Sequence, residues 1–161
     1  MNRLKPSLLT ALLLLAGVCA PALATDSPLV RDSVYQLPVQ LTDQDGDTRA
    51  WKTLRGKPRL VGMFYTSCQY ICPLIVDSGK AIEKQLSAQE QARLGIVLIS
   101  MDPARDDPAA LAAVVRQRRL DTSRWTLAAP PEGQVRGVAG VLDARYRRLA
   151  DGEFNHTSAL V

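Results

Sequence analysis

The sequence predicts an α/β domain: a central mixed sheet, partly parallel, flanked by helices. Three observations carry this. Residues 59–66 (RLVGMFYT) and 95–101 (GIVLISM) are compact apolar runs rich in β-formers, as expected of strands buried inside a sheet. Each is followed by apolar residues at helical spacing, Ile75, Ile82 and Leu86 after the first, and Leu111, Val114, Val115 and Leu120 after the second. Strands alternating with helices imply a layered domain with parallel neighbours.

The elements follow in order. Val34 to Leu41 alternates in the half-buried manner of an early strand, and Asp43-Gln44-Asp45-Gly46 is a turn. The run 59–66 is bounded by Gly56 and Pro58 before it and Ser67 after it. Pro73 suits a first helical turn, where its missing N–H costs nothing, and this helix is expected to end near Leu86. Asp107-Pro108 is an N-cap followed by a first-turn proline, opening a helix through Leu120. Trp125 to Ala128 is a short strand, and Pro131 to Leu142 a helix with Val135, Val138 and Val141 at spacings of three. Asp151-Gly152 is a hairpin signal between the strand-like segments 144–149 and 154–161.

Composition excludes several classes. The chain has 161 residues, 47% hydrophobic and 22% charged, with 10 Gly and 10 Pro, which is one globular domain rather than a disordered, collagenous or coiled-coil chain. The net charge of +4 includes Arg3 and Lys5 of an acid-free N-terminal segment. Without residues 1–24, 18 basic residues face 16 acidic ones, and a balance of +2 scattered over several elements leaves little footprint for nucleic acid.

That segment, MNRLKPSLLTALLLLAGVCAPALA, has a basic start, an apolar run from Leu8 to Val18, and Ala22-Leu23-Ala24 as an A-x-A cleavage signal. This is the layout of a secretory signal peptide, so residues 1–24 are expected to leave and residues 25–161 to form the exported domain, located in the periplasm. An uncleaved anchor and acylation at Cys19 are the alternatives. The apolar run is well short of the roughly 20 residues that span a bilayer, and Ala16-Gly17-Val18 is a poor match to an acylation site.

Export concentrates the cysteine chemistry in one place. With Cys19 removed, Cys68 and Cys72 remain, both in the stretch CQYICP, in a compartment where thiols tend to be oxidised. A purely structural disulfide is weakly motivated, because so short a loop stabilises by only about 2 kcal/mol in the chain-entropy treatment. The pair sits where a central strand turns into a helix, and N–H groups at a helix start favour thiolate over thiol. Residues i and i+4 share a helix face, so the two sulfurs can close into a disulfide or open around one ion.

Two thiolates leave a metal under-coordinated. The one histidine, His156, lies in DGEFNHTS. A single histidine in a turn is commonly incidental, but the hairpin signal places His156 on or beside a strand. A Cys2His set suits Cu(I) in low coordination and can also hold Cu(II), whereas zinc would want a fourth ligand. Met63 and Met101 could offer thioethers, but each lies inside an apolar strand pattern and reads as core.

Taken together, C-x-x-x-C-P after an FYT strand, VLISMDPARDDP, RWTL and YRRLADGEFNH resemble the Sco/SenC family of thioredoxin-like copper chaperones, from about Tyr35 to Val161. The resemblance implies a thioredoxin-like fold and copper bound by Cys68, Cys72 and His156. It implies a role in delivering copper to the copper A centre of cytochrome c oxidase, or in keeping that centre's thiols reduced. The implied partners are subunit II of cytochrome c oxidase and another periplasmic copper chaperone or thiol reductase. Asp102, Pro103, Arg105 and Asp106 match the family segment after the second core strand and read locally as a turn and helix cap.

The chain departs from the family pattern in three ways. Gln69-Tyr70-Ile71 stands between the cysteines where members often carry Pro-Asp-Val, Thr157 follows the histidine where Ser is common, and the chain stops at Val161 where relatives usually continue the strand. A second function class is a thiol–disulfide oxidoreductase, with Cys68 and Cys72 as its catalytic redox-active pair. His156 separates the two, since a redox dithiol does not need it.

Overall fold

A computed structural model of the chain describes residues 29–68 and 70–161. The expected signal peptide lies outside the described residues. Strands β3 (Arg59–Phe64), β4 (Gly95–Ser100) and β5 (Trp125–Ala129) run parallel in the order β5-β4-β3. Strand β1 (Gln40–Asp43) adds antiparallel to β5, and β2 (Thr48–Ala50) continues the sheet beyond it. The result is the mixed five-stranded sheet that the sequence predicts, and β4 is buried at every position because it has neighbours on both edges and helices over the faces.

Helix α1 (Ile71–Gln85) joins β3 to β4, followed by a short α2 (Ala88–Arg93). Helix α3 (Pro108–Arg118) joins β4 to β5, with the Asp107 carboxylate accepting from the Ala110 N–H at 2.8 Å as the N-cap motif predicts. Helix α4 (Val135–Val141) leads to a hairpin of β6 (Tyr146–Arg148) and β7 (Phe154–His156). At the hairpin turn Gly152 takes a φ of +86°, and the Leu149 N–H closes the turn on the Glu153 carbonyl at 2.7 Å.

Several expected boundaries move. The strand expected over 34–41 is a 3-10 turn at Val34–Gln36 with the strand beginning only at Gln40, because Ser33 caps the Tyr35 N–H and Pro38 has no N–H for a ladder. The helix expected to Leu120 stops at Arg118, where Arg119 turns left-handed at φ +51°. The helix expected from Pro131 starts as a 3-10 turn, Glu132–Gln134, and becomes α-helical at Val135. The strand expected over 154–161 is two pieces: β7, and a return in which Val161 exchanges both backbone hydrogen bonds with Val61, at 2.8 and 2.9 Å, on the open edge of β3. Strand β2 and helix α2 have no counterpart in the sequence reading, although Ser87 and Glu90 form a capping box around the start of α2.

The seat of α1 matters most, since this helix carries Cys72. Its buried face is Cys72, Ile75, Val76 and Gly79. Glycine inside a helix costs about 1 kcal/mol of propensity. Here it makes room: a Cβ on Gly79 would lie 2.5 Å from the Trp125 ring, which is itself buried with its indole N–H on Glu83 at 2.9 Å. From the other side, Arg118 donates to the Pro73 carbonyl at 3.2 Å and Lys80 to the Arg118 carbonyl at 2.7 Å, tying α3 to the first turns of α1. Gly79→Ala is therefore expected to lower stability by about 1–3 kcal/mol through overpacking despite the gain in propensity, measured as a reduced denaturant midpoint at unchanged slope.

Candidate metal centre

Cys68 stands in the loop after β3, and Cys72 in the first turn of α1. What aims the loop is a buried carboxylate. Asp106, 1% exposed, accepts from the Thr66 N–H at 3.1 Å, the Thr66 hydroxyl at 2.5 Å and the Ser100 hydroxyl at 2.5 Å. It thereby joins the ends of β3 and β4 two residues before Cys68. Burial pushes the Asp106 carboxyl above its ordinary pKa, and the Ser100 and Thr66 hydrogen bonds oppose that rise.

From this fixed end the chain turns, with the Cys68 N–H bonded to the Tyr65 carbonyl at 3.3 Å. The Cys72 N–H then points at the Cys68 sulfur at 3.3 Å. Both sulfurs are free and buried.

Their environments differ in a way the sequence suggests only in part. Burial raises the Cys68 pKa, but hydrogen bonds led by those from the Cys72 backbone and thiol and the Tyr70 backbone outweigh it, and the net shift is downward. Cys72 lies deeper. Burial pushes its thiol far up, and the neighbouring Cys68 and Asp106 charges push in the same direction. Cys68 is therefore the sulfur of the pair that loses its proton more readily, and Cys72 the one that holds it.

The third predicted residue arrives from 84 positions away. His156 ends β7 with its Nε2 3.8 Å from the Cys72 sulfur. Its Nδ1 is 3.0 Å from the Thr157 carbonyl, which can only accept, so Nδ1 carries the proton and Nε2 presents its lone pair to the sulfur. One donor atom from each of Cys68, Cys72 and His156 falls within 4.8 Å of the others. Bonds of about 2.0–2.3 Å to one ion, the lengths zinc makes to N and S, place three donors in a trigonal plane about 3.5–4.0 Å apart, so this set needs a closure of up to about an ångström. Two soft sulfurs and one imidazole, with no fourth Cys, His, Asp or Glu in the cluster among the described residues, match a soft ion of low coordination better than tetrahedral zinc. Met63 and Met101 are buried in the core, as expected.

The structure adds Tyr65, which the sequence did not single out, and gives a further role to Arg105, which the sequence reads as part of a turn and cap. Tyr65 lies between the cysteine loop and the hairpin: its hydroxyl donates to Glu153 at 2.9 Å, and its ring meets the His156 ring edge-on at 5.8 Å. Tyr65 itself has its pKa driven well up, chiefly by burial. Arg105 joins Asp102 to the hairpin rather than serving only as part of a turn. The FYT and DPARDDP stretches were visible in the sequence, but spacing could not show that they meet. An open groove of about 500 Å³ reaches both sulfurs past Pro73, Val76, Val114 and Arg118. Exposed Tyr70 and Leu74 stand beside it on the first turn of α1.

Two consequences are measurable. Alkylation by iodoacetamide is expected at Cys68 first, with its rate rising through a pKa below that of an ordinary thiol, while Cys72 stays unmodified until far higher pH; peptide mapping across a pH series checks the order. Asp106→Ala orphans the Thr66 N–H and the Ser100 hydroxyl and is expected to cost about 1–3 kcal/mol in denaturant unfolding.

Known proteins resemble this chain in sequence and in fold. A relative from Stutzerimonas stutzeri, described as a candidate copper-binding protein, is 34% identical over 111 residues, covering 63% of this chain and 54% of its own. A SCO1 protein homolog of Bacillus subtilis is 28% identical over 88 residues, covering 55% and 45%. The chain thus spans about half the length of the curated relatives it matches. Among solved structures, Bradyrhizobium japonicum ScoI with copper bound superposes with a TM-score of 0.65 at 26% identity, covering 75% of this chain and 77% of that one. The SCO1/SenC model matches residues 30–160, nearly all of the described fold, and on that match the chain belongs to the SCO1/SenC family.

Proposed function

We propose that this protein is an exported, periplasmic copper chaperone that takes copper on Cys68, Cys72 and His156 and passes it to the copper A centre of cytochrome c oxidase through subunit II. The observation that carries the reading is the convergence of two cysteine sulfurs and the Nε2 of the one histidine within 4.8 Å. The copper-bound B. japonicum structure and the name of the S. stutzeri relative support copper as the cargo. Among the described residues no helix is long and apolar enough to cross a membrane.

The chain's own contribution is preorganisation. Cys68 offers a thiolate, and Cys72 gives up a proton as cargo binds, so loading releases protons and strengthens with pH. His156 adds a neutral donor on a separate element, so it can leave without disturbing the pair. Transfer by ligand exchange needs a ligand that detaches singly, and the open groove beside Pro73 lets an incoming thiol reach the sulfurs.

The unequal pKa values of the pair favour a second reading, thiol–disulfide exchange. The Cys68 thiolate would attack a partner disulfide, expelling one partner thiolate and forming a mixed disulfide. Cys72, once deprotonated, would then attack Cys68, release the second partner thiol and close the Cys68–Cys72 bond, so that the pair loses two electrons and the partner gains them. A partner at the copper A centre receives reduced thiols in this reading and copper in the first.

Competition of the reduced protein with a Cu(I) chelator tests the main reading. One equivalent is expected to bind, with His156→Ala weakening affinity by at least about tenfold, ~1.4 kcal/mol, and Cys68→Ser weakening it further. An unchanged affinity in His156→Ala would sink the three-donor site.

A further inference from the structure

The hairpin that carries His156 is a weak element by itself. Its two strands have three residues each, and an isolated two-stranded hairpin is marginal in water. Its seat over the cysteines therefore depends on what ties it to the core. On its C-terminal side the chain is fastened by the Val61–Val161 backbone pair. On the turn side there are only side chains.

Those side chains form a continuous chain. Asp102, 4% exposed, is ion-paired with Arg105. Arg105 donates to the Gly152 carbonyl at 2.8 Å, and its guanidinium lies 3.7 Å from the Glu153 carboxylate. The other oxygen of Glu153 accepts from the Tyr65 hydroxyl at 2.9 Å, and that hydroxyl accepts from the Phe154 N–H at 3.4 Å. The Phe154 ring packs edge-on against Tyr65 at 5.2 Å, two residues from His156. By contrast, the His156 ring has few ties of its own: Thr157, the Tyr65 ring edge and the Cys72 sulfur.

We propose that Arg105, Glu153 and Tyr65 are positioning residues that clasp the hairpin turn and so hold His156 over the cysteine pair, and that the strength of this clasp sets how firmly copper is retained. Cys68 is held by the loop after β3 and Cys72 by α1, and both stay in place when the turn lifts, so opening the clasp removes one donor and leaves two. This inference deepens the copper reading and rests on it for its second half.

Glu153→Ala is the variant of choice, since the side chain is 40% exposed and its loss leaves no buried orphan carboxylate. In the metal-free protein, amide hydrogen exchange at Phe154 and Thr157 is expected to quicken about tenfold while β4 amides are unchanged. In Cu(I) competition, Glu153→Ala is expected to lose about tenfold in affinity in the wild-type background and nothing further in the His156→Ala background, because the clasp acts only through His156. Arg105→Ala should repeat the pattern and Arg105→Lys restore part of it.

Unchanged exchange at the hairpin, or an equal affinity loss in both backgrounds, would overturn the clasp. A wild-type protein that fails to bind Cu(I) would overturn the copper reading and the claim about retention, and the exchange measurement on metal-free protein would still decide whether the clasp exists.

Discussion

The buried carboxylate of Asp106 is the constraint on which the site depends. It holds the ends of β3 and β4 together through Thr66 and Ser100, and the cysteine loop leaves directly from that tie. A charge there is costly, which is why the group titrates high, and three donors offset the desolvation. A loop hung from a rigid strand end has its first residues aimed before any ligand arrives. Preorganisation of this kind reduces the ordering cost that binding must otherwise meet.

The remainder of the site combines rigid and hinged parts. Helix α1 is locked by the Gly79–Trp125 contact and by Arg118 and Lys80, so the Cys72 sulfur moves with the core. His156 sits instead on a two-stranded hairpin outside the main sheet. The proposed role of carrying copper asks for firm binding and release, and a fixed pair with a detachable third donor meets both demands. The same fixed pair, with one sulfur favouring thiolate and the other its proton, is also arranged for thiol exchange. Both proposed activities draw on one asymmetry of burial.

Much of the fold was legible because the central strands are strongly apolar and short. RLVGMFYT and GIVLISM could be little else than buried strands, and Asp107-Pro108 announced α3. Weak signals misled at the edges: the alternation over 34–41 ignored Pro38, and the final segment read as one strand because periodicity cannot show a change of partner. The three donor residues were identifiable because the domain has no other cysteine or histidine after the N-terminal segment. Tyr65, Arg105 and Glu153 were not, since tyrosine in a strand and charges in turns are ordinary anywhere.

The sequence alone therefore determined the strand–helix alternation, the placement of two cysteines at a strand-to-helix turn, and which residues are the candidate donors. Local patterns and scarcity are properties of the chain itself, and no folding is needed to see them. Only the tertiary structure decided which cysteine loses its proton more readily, that His156 reaches Cys72 across 84 residues, and that a turn after β4 fastens the hairpin. Those facts depend on burial and on long-range contacts, which exist only once the sheet has brought distant segments to the same end of the fold.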